Sequence, residues 1–431
     1  MTRTAEATLL AAAAVIAAMG VALVNFTRGI WLDAQVALTF LVFLAAFGGI
    51  HFALRRWAAA ANPYVFPLAA FLTAIGFIEV YRLDSDLAGL QRWWLLVGAA
   101  ISVLVLFLLR DEGVEALRRY RYLFLAAAVV LLLLPLLPTS WPVHGAIVNG
   151  SRLWVRFEIP FGGRTLSFQP GEIAKVFLAI FLASYLAERH TAMAAADRRL
   201  GPLRIPPIRE FGPVVLAALA SFGVLVYQRD LGASLLLFAL FIGLIYIATG
   251  RVAYVWVGGA FIAAGGLFAY QMFDHVQRRV VAWIRPFDDF TGSGFQIAQS
   301  LFALGSGSLT GSGLGLGEPS RIPFASTDFI FAAVGEEMGY AGTIAVLVGF
   351  ALLTAAGFGI ALRARDVFRK FLASALTLLL AVQAILILGG VLRVMPVTGI
   401  TLPFMSYGGS SLLANLVMIT LLARISHGER A

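Results

Sequence analysis

The chain has 431 residues, of which 60% are hydrophobic and 13% charged, and it contains no cysteine. So little charge on so much apolar sequence excludes an ordinary soluble domain, and the lack of cysteine excludes disulfides and thiolate metal sites. The formal net charge of +9 does not indicate nucleic-acid binding, because the arginines lie in short loops between apolar runs rather than on one amphipathic face.

Apolar runs of about twenty residues recur along the chain and match the thickness of the hydrocarbon core of a bilayer. Because every backbone polar group in lipid needs an internal partner, each run is predicted to form a helix. The predicted fold class is therefore an all-α polytopic membrane protein with about twelve transmembrane helices. The predicted spans are residues 7–25, 33–54, 64–82, 91–109, 121–138, 169–188, 211–227, 231–249, 253–273, 328–362, 371–393 and 404–423.

The distribution of arginine and lysine between alternate loops predicts that the N- and C-termini are cytoplasmic. Two loops on the outer side, at about 139–168 and 274–327, are then long enough to carry structure and function. The first contains β-branched and aromatic residues around Asn149-Gly150 that predict a short hairpin.

The apolar segment 328–362 is too long for one span, since a continuous helix would measure roughly 50 Å against about 30 Å of hydrocarbon. Gly335 and Gly339 offer a break. We therefore predict a short, partly inserted helix over 328–338 followed by a span, with Glu336 and Glu337 facing a polar chamber near the outer interface.

Two adjacent carboxylates, Asp288 and Asp289, lie in the second outer loop near Arg278, Arg279 and Arg285. Two adjacent aspartates often lie in a solvent-exposed turn without a chemical role, because aspartate favours turn positions. A carboxylate near several guanidinium groups also stays ionised and is able to accept a proton. The spacing alone leaves both interpretations open.

Lys175 is a second unusual charge, because it lies inside an apolar helix that Gln169-Pro-Gly-Glu172 is predicted to begin. Glu172 is three residues earlier on the same helix face, so the two side chains are able to pair. The pair either fixes helix register or serves function, since ionisable residues within a membrane are often functional.

Two further polar runs have open interpretations. In the tight connection Gln228-Arg229-Asp230, Arg229 and Asp230 either neutralise one another or have a functional role. The glycines and serines of residues 402–411 allow either close helix packing or contact with a substrate. No spacing of histidine, aspartate and glutamate predicts a protein-made metal site.

Together these stretches resemble the SEDS family (shape, elongation, division and sporulation), whose members include RodA and FtsW. The likeness covers roughly residues 64–426 in the family's order. The segments that carry it are Gln169-Pro-Gly-Glu-Ile-Ala-Lys175, Gln228-Arg-Asp-Leu-Gly232, Asp289-Phe-Thr-Gly-Ser-Gly-Phe-Gln296, Gln299-Ser-Leu301, Thr327-Asp-Phe-Ile-Phe331, Gly335-Glu-Glu337 and Leu402-Pro-Phe-Met-Ser-Tyr-Gly-Gly-Ser-Ser411.

The resemblance implies a peptidoglycan glycosyltransferase that polymerises lipid II outside the bacterial cytoplasmic membrane beside a class B penicillin-binding protein, a transpeptidase. Asp289 matches the family's catalytic aspartate. The family commonly has ten spans, so residues 1–61 are interpreted as a two-span N-terminal addition to a core at 62–431. The ending Ser410-Ser-Leu-Leu-Ala-Asn415 favours the RodA-like elongation branch over the division branch.

Three departures from the family pattern concern the turns around the site. The family usually has Asp-Pro at Asp289-Phe290, Gln-Pro-Asp at Gln228-Arg229-Asp230, and Gln-Pro-Ser-Glu at Gln169-Pro-Gly-Glu172. The loss of the two prolines loosens the turns around the site without removing a polar group.

The mechanism implied by the resemblance has Asp289 take the proton of the acceptor's 4-hydroxyl while cations stabilise the undecaprenyl diphosphate that leaves. A divalent ion, Mg²⁺ or Mn²⁺, is an optional addition to those cations. The residues expected to bind substrate are Lys175, Glu172, Gln169, Arg152, Arg156, Arg285, Gln296, Gln228, Asp230, Asp328, Glu336, Glu337, Ser406 and Ser410.

Two other classes of function stay open. About twelve spans with a lysine and a glutamate inside them also suit a transporter or lipid II flippase, although the polar residues collect on one side rather than at the midplane. A non-catalytic scaffold that recruits the transpeptidase is the third possibility.

Overall fold

A computed structural model describes residues 3–31, 33–138, 140–148, 151–158, 165–194, 198–200, 203–205, 208–228 and 230–428. The helices in chain order are α1 (Arg3–Thr27), α2 (Ala34–Trp57), α3 (Val65–Leu83), α4 (Ser85–Leu108), α5 (Glu115–Arg119), α6 (Arg121–Leu133), α7 (Pro170–Ala194), α8 (Ile208–Tyr227), α9 (Leu231–Thr249), α10 (Ala253–Met272), α11 (Asp274–Ile284), α12 (Phe295–Ser306), α13 (Ile330–Arg363), α14 (Val367–Val391) and α15 (Gly409–Gly428). The strands are β1 (Val143–Val148), β2 (Ser151–Glu158), β3 (Thr165–Phe168), β4 (Arg198–Leu200) and β5 (Leu203–Ile205).

Each of the predicted spans coincides with an apolar helix. Within the described ranges, 10 helices are long and apolar enough to cross a membrane, and two shorter apolar helices occupy Arg121–Leu136 and Gly212–Val226. The predicted fold class, an all-α polytopic membrane protein, is confirmed.

The chain divides into two compact units, of which the first comprises Met1–Arg110, Gly266–Ala356 and Leu380–Ala431. In this unit α1 packs against α2 and α3, α2 packs against α4, and α15 packs against α3 and α4. Nearly all residues of α3 and α15 are buried, so these two helices form the core of the unit. The division at residues 61 and 62 into an addition and a ten-span core stays a prediction.

Close packing in this core depends on Gly76 of α3. A Cβ atom at this position would collide with the backbone of Met405, so only glycine permits the approach of the 402–408 segment. The polar groups of that region bond to one another, since Thr401 donates to the Ser411 hydroxyl at 2.7 Å and Asn415 donates to the same oxygen at 3.2 Å. These two bonds join Thr401, Ser411 and Asn415 within the apolar core.

The predicted break in the long helix α13 is present at Gly339, whose φ of 63° lies in the left-handed region. The break frees backbone N–H groups, and the glycine-rich loop 305–317 takes them up. Tyr340 N–H donates to the Ser308 carbonyl at 3.0 Å, and Ala341 N–H donates to the Leu309 carbonyl at 3.3 Å. Irregular backbone is thus satisfied by protein, as an apolar surrounding requires.

The second unit comprises Asp111–Gly265 and Gly357–Leu379. Here α7 packs against α6 and α9 and is buried along most of its length. β1, β2 and β3 form an antiparallel sheet in that order, with Val155 paired to both Gly145 and Phe168. The predicted hairpin is confirmed, the third strand was not predicted, and the turn at Asn149-Gly150 lies outside the described residues.

Candidate active site

Asp289 lies in a turn between the end of α11 at Ile284 and the start of α12 at Phe295. Backbone bonds close this turn, because the N–H groups of Gly292 and Gly294 both donate to the Asp289 carbonyl at 3.2 Å. We call residues 285–294 the aspartate loop. Its geometry is set by bonds within the loop itself, so the side chain of Asp289 is held by local structure.

The carboxylate of Asp289 is exposed and accepts two hydrogen bonds from one residue. The Ser293 N–H donates to Oδ2 at 2.7 Å, and the Ser293 hydroxyl donates to the same oxygen at 3.0 Å. These bonds, with a smaller contribution from the Gly292 N–H, hold the pKa of Asp289 below its usual range. Asp289 is therefore an ionised proton acceptor at neutral pH.

Glycine at position 292 is required by this arrangement. A Cβ atom there would collide with the Asp289 carboxylate, so any side chain would displace it. Asp288 has a different environment, because its Oδ2 pairs with Arg285 Nη1 at 3.7 Å and both side chains are largely exposed. The loop thus holds one aspartate by backbone geometry and the other by a solvated ion pair. Gln296 lies in the first turn of α12 and is partly buried.

The C-terminus of α11, which leads into the aspartate loop, is fixed by Arg393. Its guanidinium donates to the carbonyls of Trp283 at 2.8 Å and Ile284 at 2.7 Å. In return the Trp283 indole N–H donates to the Arg393 carbonyl at 3.1 Å. These bonds satisfy carbonyls that a helix end leaves without partners and so anchor one side of the aspartate loop.

Glu336 and Glu337 point into the glycine-rich loop. Glu337 Oε1 accepts from Arg82 Nε at 2.9 Å, and its Oε2 accepts from the Gly315 N–H at 2.8 Å. Glu336 Oε1 accepts from the Glu318 N–H at 2.7 Å. In this structure the two carboxylates hold a loop, and their predicted role in binding substrate stays a prediction.

Asp328 and Ser406 belong to a group that joins the start of α13 to the segment before α15. The side chains of Arg279 and Asp328 both lie beside Gly399. Ser406 donates to the Thr327 carbonyl and accepts from the Leu402 N–H at 2.9 Å. Ser410, which follows, is buried at the start of α15.

In the second unit, Lys175 and Glu172 form the ion pair that their spacing predicts. Nζ of Lys175 lies 2.6 Å from Oε2 of Glu172, and both side chains are buried. The helix begins at Pro170, as predicted, and the Gln169 carbonyl accepts from the Glu172 N–H at 3.3 Å. The pair is a charged group within an apolar helix, whichever role it serves.

The other candidates of the second unit have structural partners or lie on the sheet. Gln228 donates to the Leu132 carbonyl at 2.5 Å, and Asp230 caps α9 by accepting from the Ala233 N–H at 2.9 Å. Arg229 lies outside the described residues. Arg152 and Arg156 are both on β2, and the register with β1 shifts between them, since Ala146 pairs with Trp154 and Ile147 with Arg152.

Sequence reasoning missed three residues that matter to these groups. Ser293 binds Asp289, and the signal for it is a serine four residues after an aspartate in a glycine-containing turn, where short polar side chains often bond locally. Arg82 binds Glu337 from a distant helix, and no local pattern predicts that pairing. Glu79 is fully buried in α3, and among the described residues neither of its carboxyl oxygens has a hydrogen-bond partner. The sequence signal for Glu79 is a glutamate within an apolar helix.

A divalent ion has few protein ligands in the described part of the chain. No group of three or more His, Cys, Asp or Glu side chains there is arranged to hold a metal. Mg²⁺ is often held by one or two carboxylates together with the phosphates of a substrate. The described part of the chain therefore has no metal cage of its own, and a divalent ion stays a prediction.

Comparison with known proteins places this architecture in a family. The family model described as Cell cycle protein (FtsW/RodA/SpoVE) matches residues 64–431. Peptidoglycan glycosyltransferase RodA of Mycobacterium tuberculosis is 41% identical over 441 residues, which cover 99% of this chain and 91% of that protein.

Two solved structures agree with this. A chain from a study of the structural coordination of polymerization and crosslinking by a peptidoglycan synthase complex superposes with a TM-score of 0.68 at 26% identity, covering 86% of this chain and 98% of the other. Thermus thermophilus rod shape determining protein RodA superposes with a TM-score of 0.56 at 26% identity over 87% and 99% of the two chains. The chain therefore belongs to the FtsW/RodA/SpoVE family of cell cycle proteins.

Proposed function

We propose that this chain is a peptidoglycan glycosyltransferase that polymerises lipid II at the outer face of the bacterial cytoplasmic membrane, in cell elongation or division. A relative 41% identical over nearly the whole chain is named peptidoglycan glycosyltransferase RodA, which favours elongation. The observation that carries the proposal is the exposed, ionised carboxylate of Asp289, which the chain's own loop holds in one position.

In the proposed step, Asp289 acts as general base. Ser293 donates both its bonds to Oδ2, so we assign the proton of the acceptor's 4-hydroxyl to Oδ1. The acceptor oxygen then bonds to the anomeric carbon of the donor, and the bond from that carbon to the diphosphate breaks. The diphosphate leaves with the bonding electron pair, so no protonated acid is needed once cations meet its charge.

Arg285 of the aspartate loop is the cation proposed for the diphosphate, and Lys175, Arg152 and Arg156 of the second unit stay predictions from the sequence. One guanidinium group is able to bind two phosphate oxygens at once, and lysine contributes a compact positive charge. A bound Mg²⁺ or Mn²⁺ would add Lewis-acid neutralisation of the same charge.

We also propose a class B penicillin-binding protein as partner. Support comes from the similar chain that was studied within a peptidoglycan synthase complex coordinating polymerization and crosslinking. A polymerase needs a crosslinking activity to turn its strands into a wall, so a transpeptidase is the partner whose chemistry uses this product.

The decisive experiment supplies lipid II to the detergent-purified protein with its transpeptidase and separates the products on a gel. The unmodified protein should form glycan strands, and Asp289→Ala should form none while keeping the thermal unfolding of the parent. Normal strand formation by Asp289→Ala would remove Asp289 from the mechanism. Labelled lipid II in liposomes tests the flippase alternative: flipping without polymerisation would replace the proposal.

The orientation of the chain, with cytoplasmic termini and an outward aspartate loop, has its own test. Because the chain has no cysteine, single cysteines report accessibility without background. We expect an impermeant maleimide to label Thr291→Cys in intact cells and Arg56→Cys only after permeabilisation, since both positions are exposed and predicted to be on opposite sides. The reverse pattern would contradict an extracytoplasmic active site.

A further inference from the structure

Four phenylalanines form a ring cluster around the aspartate loop. The ring centroid of Phe302 lies 5.9 Å from that of Phe287 and 6.1 Å from that of Phe290. Phe290 also contacts Phe295 edge-on at 5.9 Å with an interplanar angle of 75°. These separations are those of favourable aromatic pairs, so the rings hold one another in place.

The cluster is unusually open for so much aromatic surface. Phe287 and Phe302 are each 52% exposed, and Phe290 is 38% exposed. Contiguous exposed apolar surface of this kind commonly marks a site of interaction. Phe290 follows Asp289 directly in the chain, so the open rings lie on the same turn as the proposed base.

The charges within the cluster indicate what covers it. Arg285, Asp288 and Asp289 are on the same loop as Phe287 and Phe290. A lipid chain laid on this surface would remove water from these charges without offering them hydrogen bonds, which is costly. A sugar ring has C–H groups on its faces and hydroxyls at its rim, so it suits both parts of the surface. The negative face of an aromatic ring attracts such C–H groups.

We infer that Phe290, supported by Phe295 and Phe302, is the stacking surface for the pyranose ring of the acceptor saccharide whose hydroxyl transfers its proton to Asp289. This inference rests on the proposed function. Stacking fixes the plane of the sugar, and the neighbouring carboxylate then meets one hydroxyl. Phe290 is thus a binding residue that orients the acceptor.

The test compares two replacements of Phe290 in the purified protein with its transpeptidase. Phe290→Leu keeps an apolar side chain and loses the ring, whereas Phe290→Tyr keeps the ring. Phe52→Leu is the matched control, since Phe52 is 72% exposed on α2, away from the loop. We expect the lipid II concentration for half-maximal polymerisation to rise roughly three- to tenfold in Phe290→Leu. It should rise less in Phe290→Tyr than in Phe290→Leu, and it should stay at the parent value in Phe52→Leu.

A second measurement does not depend on catalysis. Binding of a soluble tetrasaccharide of alternating N-acetylglucosamine and N-acetylmuramic acid is measured in the Asp289→Asn background with and without Phe290→Leu. Weaker binding in the double variant supports the stacking surface. Equal binding, or equal half-saturation in Phe290→Leu and parent, overturns it and leaves Asp289 as base. Failure of the parent to polymerise lipid II overturns the proposed function instead, and the tetrasaccharide result still decides the stacking surface.

Discussion

The aspartate loop and the glycine-rich loop 305–317 both combine glycines with nearby carboxylates, yet the structure uses them in opposite ways. In the aspartate loop the carboxylate of Asp289 is exposed and its bonds come from the loop that bears it. Beside the glycine-rich loop, the carboxylate of Glu337 is fully buried and binds the Gly315 N–H and Arg82. One loop presents a carboxylate, and the other is held together by one.

This difference shows what distinguishes a group available for chemistry from a structural one. A base has to reach the substrate, so an exposed carboxylate held by local bonds meets the requirement. In the buried carboxylate of Glu337, each oxygen already accepts a bond from the protein, one from a cation and one from a backbone N–H. Both arrangements need glycine, the first because a Cβ at 292 would strike the carboxylate and the second because Gly311, Gly313 and Gly315 have φ between 80° and 99°.

The largest effect is expected when the two neighbouring aspartates, Asp288 and Asp289, are replaced one at a time. Asp289→Asn keeps the size of the side chain and removes its basicity, so polymerisation should fall by roughly a hundred- to ten-thousandfold. Asp288→Asn is the matched control, because it removes only a solvated pair with Arg285, and it should keep activity within about threefold. Rates of lipid II polymerisation measure both. Equal losses in the two variants would show that the pair acts as a unit.

Breaking the buried ion pair of Glu337 and Arg82, beside the glycine-rich loop, should instead reduce the stability of the fold. Glu337→Ala leaves Arg82 without its carboxylate, and removing one partner of a buried pair costs about 3–5 kcal/mol. Thermal unfolding in detergent should therefore move to a clearly lower temperature. Glu318→Ala removes an exposed pair with Arg321 and should cost at most about 1 kcal/mol. A Glu337→Ala protein that unfolds like the parent but has lost activity would place Glu337 in the active site.

The sequence predicts the spans well because apolar length is a direct consequence of the bilayer. It also predicts the break in α13, because an apolar helix longer than the bilayer is thick has to be interrupted and Gly339 permits the interruption. The i,i+3 pair of Glu172 and Lys175 is equally local and equally predictable. Local spacing and the thickness of lipid are sufficient for these features.

The direction in which each carboxylate points was not predictable, because it depends on partners far away in the chain. Glu337 meets Arg82, which is 255 residues earlier, and that contact exists only after the helices pack. Periodicity places a residue on a helix but does not identify the loop that will cover it. The buried Glu79 shows the same limit, since its surroundings come from tertiary packing.

Gly292→Ala tests whether the position of the Asp289 carboxylate matters as well as its charge. The added Cβ atom would displace the carboxylate, and a displacement of about 1 Å near the reacting atoms can cost up to a hundredfold. We expect a roughly tenfold loss of the polymerisation rate with little change in unfolding temperature. Gly305→Ala is the control, because a Cβ there meets open space. Full activity in Gly292→Ala would mean that the loop adjusts freely around Asp289.

The smallest effect is expected from Ser293→Ala, and it concerns pH. The Ser293 hydroxyl stabilises the ionised form of Asp289, so it contributes to the lowered pKa of that carboxyl. The base is active when deprotonated, so the activity of the parent should persist until the pH falls through this lowered pKa. Without the hydroxyl the pKa moves up toward the ordinary range of aspartate, and activity should be lost at a higher pH during acidification.

At neutral pH both proteins are fully deprotonated at Asp289, so their rates should agree within about threefold. Ser306→Ala is the control, since that hydroxyl donates to the Ala303 carbonyl within its own helix at 2.9 Å, and its pH profile should match the parent. Initial rates across the acid range, with unfolding followed at each pH, measure the shift. An acid limb that does not move in Ser293→Ala would mean that another group controls it, and the presented carboxylate of the aspartate loop would then not be the titrating base.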